Sequence, residues 1–130
     1  AYLDVMKKHN MPPRITNDVI LHGEESNVAA RFLDEYGDVD GVFASGYTMA
    51  QVLYETAAKR NIRIPEDMQV VSYDGSFEQW GGGRRLTCVE QPIEEMARAA
   101  VRLLIDKIEG KSVPVRTVLK TKFVVGDTTK

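Results

Sequence analysis

Short apolar runs alternate along the chain with stretches in which apolar residues recur every three or four positions. Tyr2, Val5, Met6 and His9 share one helical face, stopped by Asn10 and by Pro12-Pro13, because proline cannot continue a helix. Val19-Ile20-Leu21-His22 reads as a short strand closed by Gly23. Ser26 is placed to cap a helix whose stripe is Val28, Ala29, Phe32, Leu33 and Tyr36, with Gly37 as its stop. Gly41-Val42-Phe43-Ala44-Ser45 reads as a buried strand. Thr48 then caps a helix with Met49, Val52, Leu53, Thr56 and Ala57 inside, ending near Asn61. Ile64-Pro65-Glu66-Asp67 is a turn and Val70-Val71-Ser72-Tyr73 a strand, which completes a βαβ unit with parallel strands. An irregular stretch from Gly75 to Arg85 leads to a β-like run, Leu86 to Glu90. Pro92 suits the first turn of a helix carrying Ile93, Met96, Ala97, Ala100, Val101, Leu104, Ile105 and Ile108, ended by Gly110. Val115 to Leu119 and Phe123 to Val125 are the last β-like runs. The pattern predicts an α/β fold with flanking helices and a mostly parallel sheet.

Composition narrows the function classes. With 130 residues there is room for one domain, and 43% hydrophobic with 28% charged residues is ordinary globular composition, which excludes disordered and low-complexity classes. Seventeen Lys and Arg stand against nineteen Asp and Glu, a net −2, so no positive excess exists to hold a nucleic-acid backbone. The longest basic runs, Lys7-Lys8 and Arg84-Arg85, are only pairs. Cys88, the single cysteine, lies among β-formers and reads as a buried inert thiol, with no disulfide framework around it. No apolar run approaches the ~20 residues that span a bilayer. The chain starts without Met inside a helical pattern, as expected of a piece of something longer.

In open parallel sheets, ligands bind beyond the carboxyl ends of the strands. Three such ends are legible: Gly23-Glu24-Glu25, Gly46-Tyr47, and Asp74-Gly75 with Phe77 and Trp80 beyond. Carboxylates accept from hydroxyls and rings stack on C–H faces, so this set suits a polyol or sugar. Each member also has a plainer reading: a tight turn for Asp74-Gly75, loop anchors for Tyr47 and Trp80, a solvated helix entry for Glu24 and Glu25. Catalytic constellations are missing. His9 and His22 flank no nucleophile, Gly81-Gly82-Gly83 fits no phosphate loop, and Asp38-Val39-Asp40-Gly41 is too short for a calcium loop. A phosphoryl-accepting receiver would need a second acid or a Lys beside Asp74, and the neighbouring sequence has neither. The expectation is a binding domain, neither an enzyme nor the holder of a metal or cofactor.

Taken together in order and spacing, Gly41-Val42-Phe43-Ala44-Ser45, Met49-Ala50, Ile64-Pro65-Glu66-Asp67, Val70-Val71-Ser72-Tyr73-Asp74-Gly75 and Leu86-Thr87-Cys88-Val89-Glu90-Gln91-Pro92-Ile93-Glu94-Glu95-Met96 resemble the effector-binding core of LacI/GalR-family transcription regulators. The similarity runs through essentially the whole chain and is strongest from Gly41 to Gly110. It implies a truncated, periplasmic-binding-protein-like type I sensor from a cytoplasmic regulator that forms homodimers. Operator DNA would be contacted only through an N-terminal helix-turn-helix domain that this chain lacks. It further implies that residues 1–90 and 120–130 make mainly the C-terminal lobe, and that 91–119 belong to the other lobe.

The resemblance assigns roles residue by residue. Asp74 matches the strand-end aspartate that bonds effector hydroxyls. The family's Asn-Asp is replaced by Gly46-Tyr47, where Tyr47 offers stacking in place of the amide contact. Glu25 stands where a ring often covers the effector, and Gln91 occupies the polar hinge position between lobes. Trp80 completes the candidate effector set. Tyr73-Asp74-Gly75 is similar to members that sense sucrose or related sugars. Gln51, Tyr54, Glu55 and Ala58, on the outward face of their helix, form with Glu78 a candidate dimer surface. The wide apolar sector of the helix after Pro92, extended by Ala99 and Leu103, predicts self-association or segment exchange wherever the other lobe is absent. A periplasmic sugar receptor, with the same fold and cleft but an export signal, is the alternative.

Overall fold

The computed structural model describes residues 1–16, 23–75, 79–80 and 83–130, with Gln79–Trp80 as backbone only. The elements are α1 (Tyr2–Lys8), α2 (Glu25–Glu35), β1 (Gly41–Ala44), α3 (Tyr47–Lys59), β2 (Gln69–Tyr73), β3 (Gln79–Trp80), β4 (Arg84–Arg85), β5 (Thr87–Glu90), α4 (Ile93–Ile108) and β6 (Lys122–Val124). The strand expected over 19–22 lies outside the described residues.

The sheet runs β1-β2-β5-β6; the first three strands are parallel and β6 is antiparallel to β5. This is the mostly parallel α/β architecture that the alternation predicts. Residues alternate between two faces with the period of a strand. Ala44, Val70, Ser72 and Cys88 are buried on one face, where Ala44, Val70 and Cys88 pack with Ala29, Leu33, Ala50, Leu53 and Ala57 of α2 and α3. The opposite face carries Phe43, 62% exposed, Tyr73, and Phe123, 59% exposed.

Four local expectations are corrected. Helix α2 starts at Glu25 with Glu24 in the capping position, so Ser26 lies within the first turn, and the Glu25 carboxylate accepts the Gly23 N–H at 2.8 Å. Helix α3 starts at Tyr47 with Gly46 in the capping position, two residues ahead of Thr48. The run read as irregular, Gly75 to Arg85, contains the antiparallel ribbon β3-β4, with Trp80 opposite Arg84 and Gly83 at φ 78° before the return strand. Val115 to Leu119 forms no strand, because β-forming side chains make a strand only where a neighbour offers a ladder. Val115 is fully exposed.

The segment Gly126–Lys130 is threaded between the amino ends of β2 and β5. Paired residues of these strands start at Val71 opposite Thr87. Next to that pair, Thr128 takes the partner's place: its carbonyl accepts the Val70 N–H at 2.9 Å, and its buried hydroxyl donates to the Val70 carbonyl at 2.7 Å while accepting the Thr87 N–H at 2.9 Å. Asp127 receives the Arg85 N–H on its carboxylate and donates its own N–H to the Arg85 carbonyl, both at 2.7 Å. A Cβ on Gly126 would collide with the Arg85 carbonyl, so only glycine allows this approach.

Helix α4 is the exception to the packing. It buries none of its residues, and Ile108 is 76% exposed. Pro92, expected in its first turn, instead takes the capping position ahead of Ile93, and Gly110 at φ 77° lies just past the last turn as expected.

Two stability tests follow from the sheet's amino end. Thr128→Val keeps the shape but leaves buried backbone groups of Val70 and Thr87 without their hydroxyl partner, at a cost of about 1–3 kcal/mol in urea unfolding. Thr128→Ser should recover most of that loss. The turn into β2 is closed by Asp67, whose carboxylate accepts the Arg63 backbone N–H at 2.9 Å and its guanidinium at 2.8 and 2.6 Å. Those hydrogen bonds hold the Asp67 carboxyl down from its ordinary 3.8 to about 2. A depressed carboxyl stabilises the fold above its unfolded value, and that contribution fades as pH falls from about 4 toward about 2. Urea midpoints across that range should therefore fall less steeply for Asp67→Asn, which starts lower at neutral pH.

Candidate effector-binding site

The carboxyl ends of β1, β2 and β5 lie side by side, and the chain leaves them through Gly46-Tyr47, Asp74-Gly75 and Gln91-Pro92. Asp74 sits one residue beyond β2. Its N–H still donates to the Val89 carbonyl at 2.9 Å, and then its backbone turns left-handed, φ 65°. Aspartate tolerates that region far better than a branched residue does. The buried Ser72 hydroxyl lies 2.8 Å from the Asp74 carbonyl and 3.0 Å from that of Tyr73, so it braces the turn from below.

The Asp74 carboxylate is half-buried and held on both oxygens by one residue. The Gln91 backbone N–H donates to Oδ1 at 3.1 Å and the Gln91 Nε2 donates to Oδ2 at 2.5 Å. Pro92 restricts Gln91 to extended conformations, which fixes the direction of that backbone donor. The sequence flags Asp74 and Gln91 separately; nothing in a separation of 17 residues marks them as partners.

Gly75, at φ 117°, lies between Tyr47 and Leu86: a Cβ there would sit 2.9 Å from a carbon of each side chain. Tyr47 is half-buried and packs against the core. Gly46 lies beneath it with the Tyr73 carbonyl close by, 3.9 Å from where a Cβ would be. Gly46, Tyr47, Asp74, Gly75 and Gln91 thus gather at one end of the sheet. Glu25 is at the entry of α2, engaged with Gly23. The backbone of Trp80 pairs with Arg84, just before β5 begins, which is the opposite end of that strand from Gln91. Its side chain and Glu78 lie outside the described residues. Among the described residues, no group of three or more His, Cys, Asp and Glu is arranged to hold a metal ion, and no helix is long and apolar enough to cross a membrane.

On the outer side of α3, the Gln51 amide donates to Glu55 at 3.3 Å and Ala58 is exposed. Tyr54 is half-buried, and its hydroxyl accepts from the Arg84 guanidinium at 3.2 Å. The same nitrogen donates to the Ile64 carbonyl at 3.0 Å. Arg84 therefore ties α3 to the start of the β2 turn, a role that a two-residue basic pair in the sequence does not reveal.

Residues 1–129 match the periplasmic binding protein-like domain family. The transcriptional regulator CelR of Thermobifida fusca is 40% identical over 104 residues, which cover 78% of this chain and 31% of that protein. The ribose operon repressor of Halalkalibacterium halodurans is 37% identical over 108 residues, covering 82% of this chain and 33% of that protein. Among solved structures, a complex of the regulator CelR with cellobiose superposes with a TM-score of 0.83 at 30% identity, over 98% of this chain and 40% of that one. The chain spans about a third of the length of the curated relatives it matches, and these are transcription regulators, not enzymes. Motif order, sheet topology and these likenesses agree: the chain belongs to the periplasmic binding protein-like domain family, in the form carried by LacI-family transcriptional regulators.

Proposed function

We propose that this chain is the effector-sensing part of a LacI-type regulator that works in the cytoplasm as a homodimer. It binds a sugar or sugar-derived effector at the carboxyl ends of β1, β2 and β5. The observation that carries the reading is the half-buried Asp74 carboxylate, fixed at the end of β2 beside Gly46-Tyr47. An ionised carboxylate only accepts hydrogen bonds, so it selects hydroxyl donors. The likeness to a regulator solved with cellobiose supports a sugar as the ligand.

The effector acts by favouring one arrangement of two lobes through its differential affinity. Coupling to operator DNA is then reciprocal: a ligand that weakens DNA binding is itself bound less well by the DNA-bound form. Residues 91–119 belong to the second lobe, a reading supported by α4, which finds no cover among the described residues. Gln51, Tyr54, Glu55 and Ala58 supply the dimer surface, with the Arg84 tie holding Tyr54 in place.

The test is an operator-release titration of the full-length regulator with cellobiose, sucrose and ribose. Asp74→Ala should weaken the sugar response roughly 10- to 150-fold, the loss of a hydrogen bond to a charged group, and leave operator affinity in the absence of sugar unchanged. Release of the mutant at the wild-type sugar concentration would overturn the reading.

A further inference from the structure

We infer that Glu55 and Arg84 decide which chain this one pairs with: in a two-fold dimer the Glu55 carboxylate of each copy meets the Arg84 guanidinium of the other. The inference rests on the reading of the outward face of α3 as the dimer surface. Each residue turns about 100° around a helix, so Ala58, Gln51 and Glu55 lie about 40°, 60° and 100° from Tyr54 in one direction. The buried Ala50, Ala57 and Leu53 lie in the other direction, and Ile64 belongs to the same core. Arg84 approaches from that second side, where its Nη1 donates to the Tyr54 hydroxyl at 3.2 Å and to the Ile64 carbonyl at 3.0 Å. A strip of Gln51 and Ala58 therefore has an acid on one flank and a base on the other. The two are nearly level along the helix, since Tyr54 and Glu55 are consecutive.

Both charged residues are exposed. Among the described residues, the Glu55 carboxylate is engaged only by the Gln51 amide at 3.3 Å, and both hydrogen bonds of Arg84 use the single nitrogen Nη1. The Nε–Nη2 edge of that guanidinium is the fork that fits a carboxylate at two points. Arg14, Arg60, Arg63 and Arg98 each hold an acid of this chain, whereas Arg84 holds none among the described residues. A two-fold axis running along the strip carries each flank onto the opposite flank of the partner, so one axis makes two ion pairs. Exposed pairs add little affinity. Like charges brought face to face are costly, so the arrangement acts mainly by refusing chains that carry the same sign at both positions.

The experiment measures self-association of the full-length regulator by sedimentation equilibrium, with mixed species identified by native mass spectrometry. Glu55→Arg sets Arg against Arg twice across the axis, and Arg84→Glu sets Glu against Glu. Each should weaken the dimer by about tenfold or more. An equimolar mixture of the two variants regains both opposite-charge contacts and should form a heterodimer within about threefold of the wild-type dissociation constant. If melting shows that Arg84→Glu folds poorly, Glu55→Gln, Arg84→Gln and the variant carrying both take its place, and the two single losses should then not add. Single variants that dimerise as wild type does, a mixture no tighter than its components, or additive losses in the neutral series would overturn the inference. Ala58→Arg, at the centre of the strip, tests the reading beneath it and should break the dimer whatever the fate of the charge pair. An intact Ala58→Arg dimer, or a wild type that stays monomeric, would instead remove this face of α3 as the dimer surface.

Discussion

The sheet depends on a borrowed partner. β2 and β5 pair with each other only from Val71 and Thr87 onward, and the backbone next to that pair is completed by Thr128. Without that residue, donors and acceptors would be buried unmet at the base of the two central strands, a penalty of about 1–3 kcal/mol for each group. The carboxyl ends of the same strands carry Asp74 and Gln91. The register set at one end by Gly126–Lys130 therefore decides where, at the other end, a carboxylate faces an amide. The collision that any side chain at 126 would have with Arg85 shows how little slack this threading has.

Much of this was legible in the sequence. Alternation and apolar runs located β1, β2 and β5, and the βαβ unit around α3 dictated parallel pairing. Helix starts were less legible. Ser26 and Thr48 are good capping residues by type, yet the chain turns helical ahead of both, because the geometry of the preceding loop and not the side chain's preference selects the first residue. Val115 to Leu119 has the composition of a strand without a neighbour to make it one. Composition reports what a side chain tolerates, and pairing depends on what lies alongside.

The site divides in the same way. Asp74 was visible as a strand-end carboxylate followed by glycine, and Gln91 only through the family resemblance, as the polar hinge position. Their joint role was not, since the contact arises only once β2 and β5 lie side by side. Arg84 is a similar case: as half of a basic pair it reads as surface charge, whereas its guanidinium holds Tyr54 and the Ile64 carbonyl together.

The exposed helix has a mechanical meaning. Its 16 residues extend ~24 Å from a root at Gln91, and in the reading given above their apolar side lies against the second lobe. A rod of that length magnifies motion at its base: a rotation of about 10° at Gln91 carries the far end, near Ile108, through ~4 Å. The residue that grips the carboxylate is thus also the fulcrum of a lever. A shift too small to disturb the sheet becomes a displacement of atomic dimensions at the distant tip.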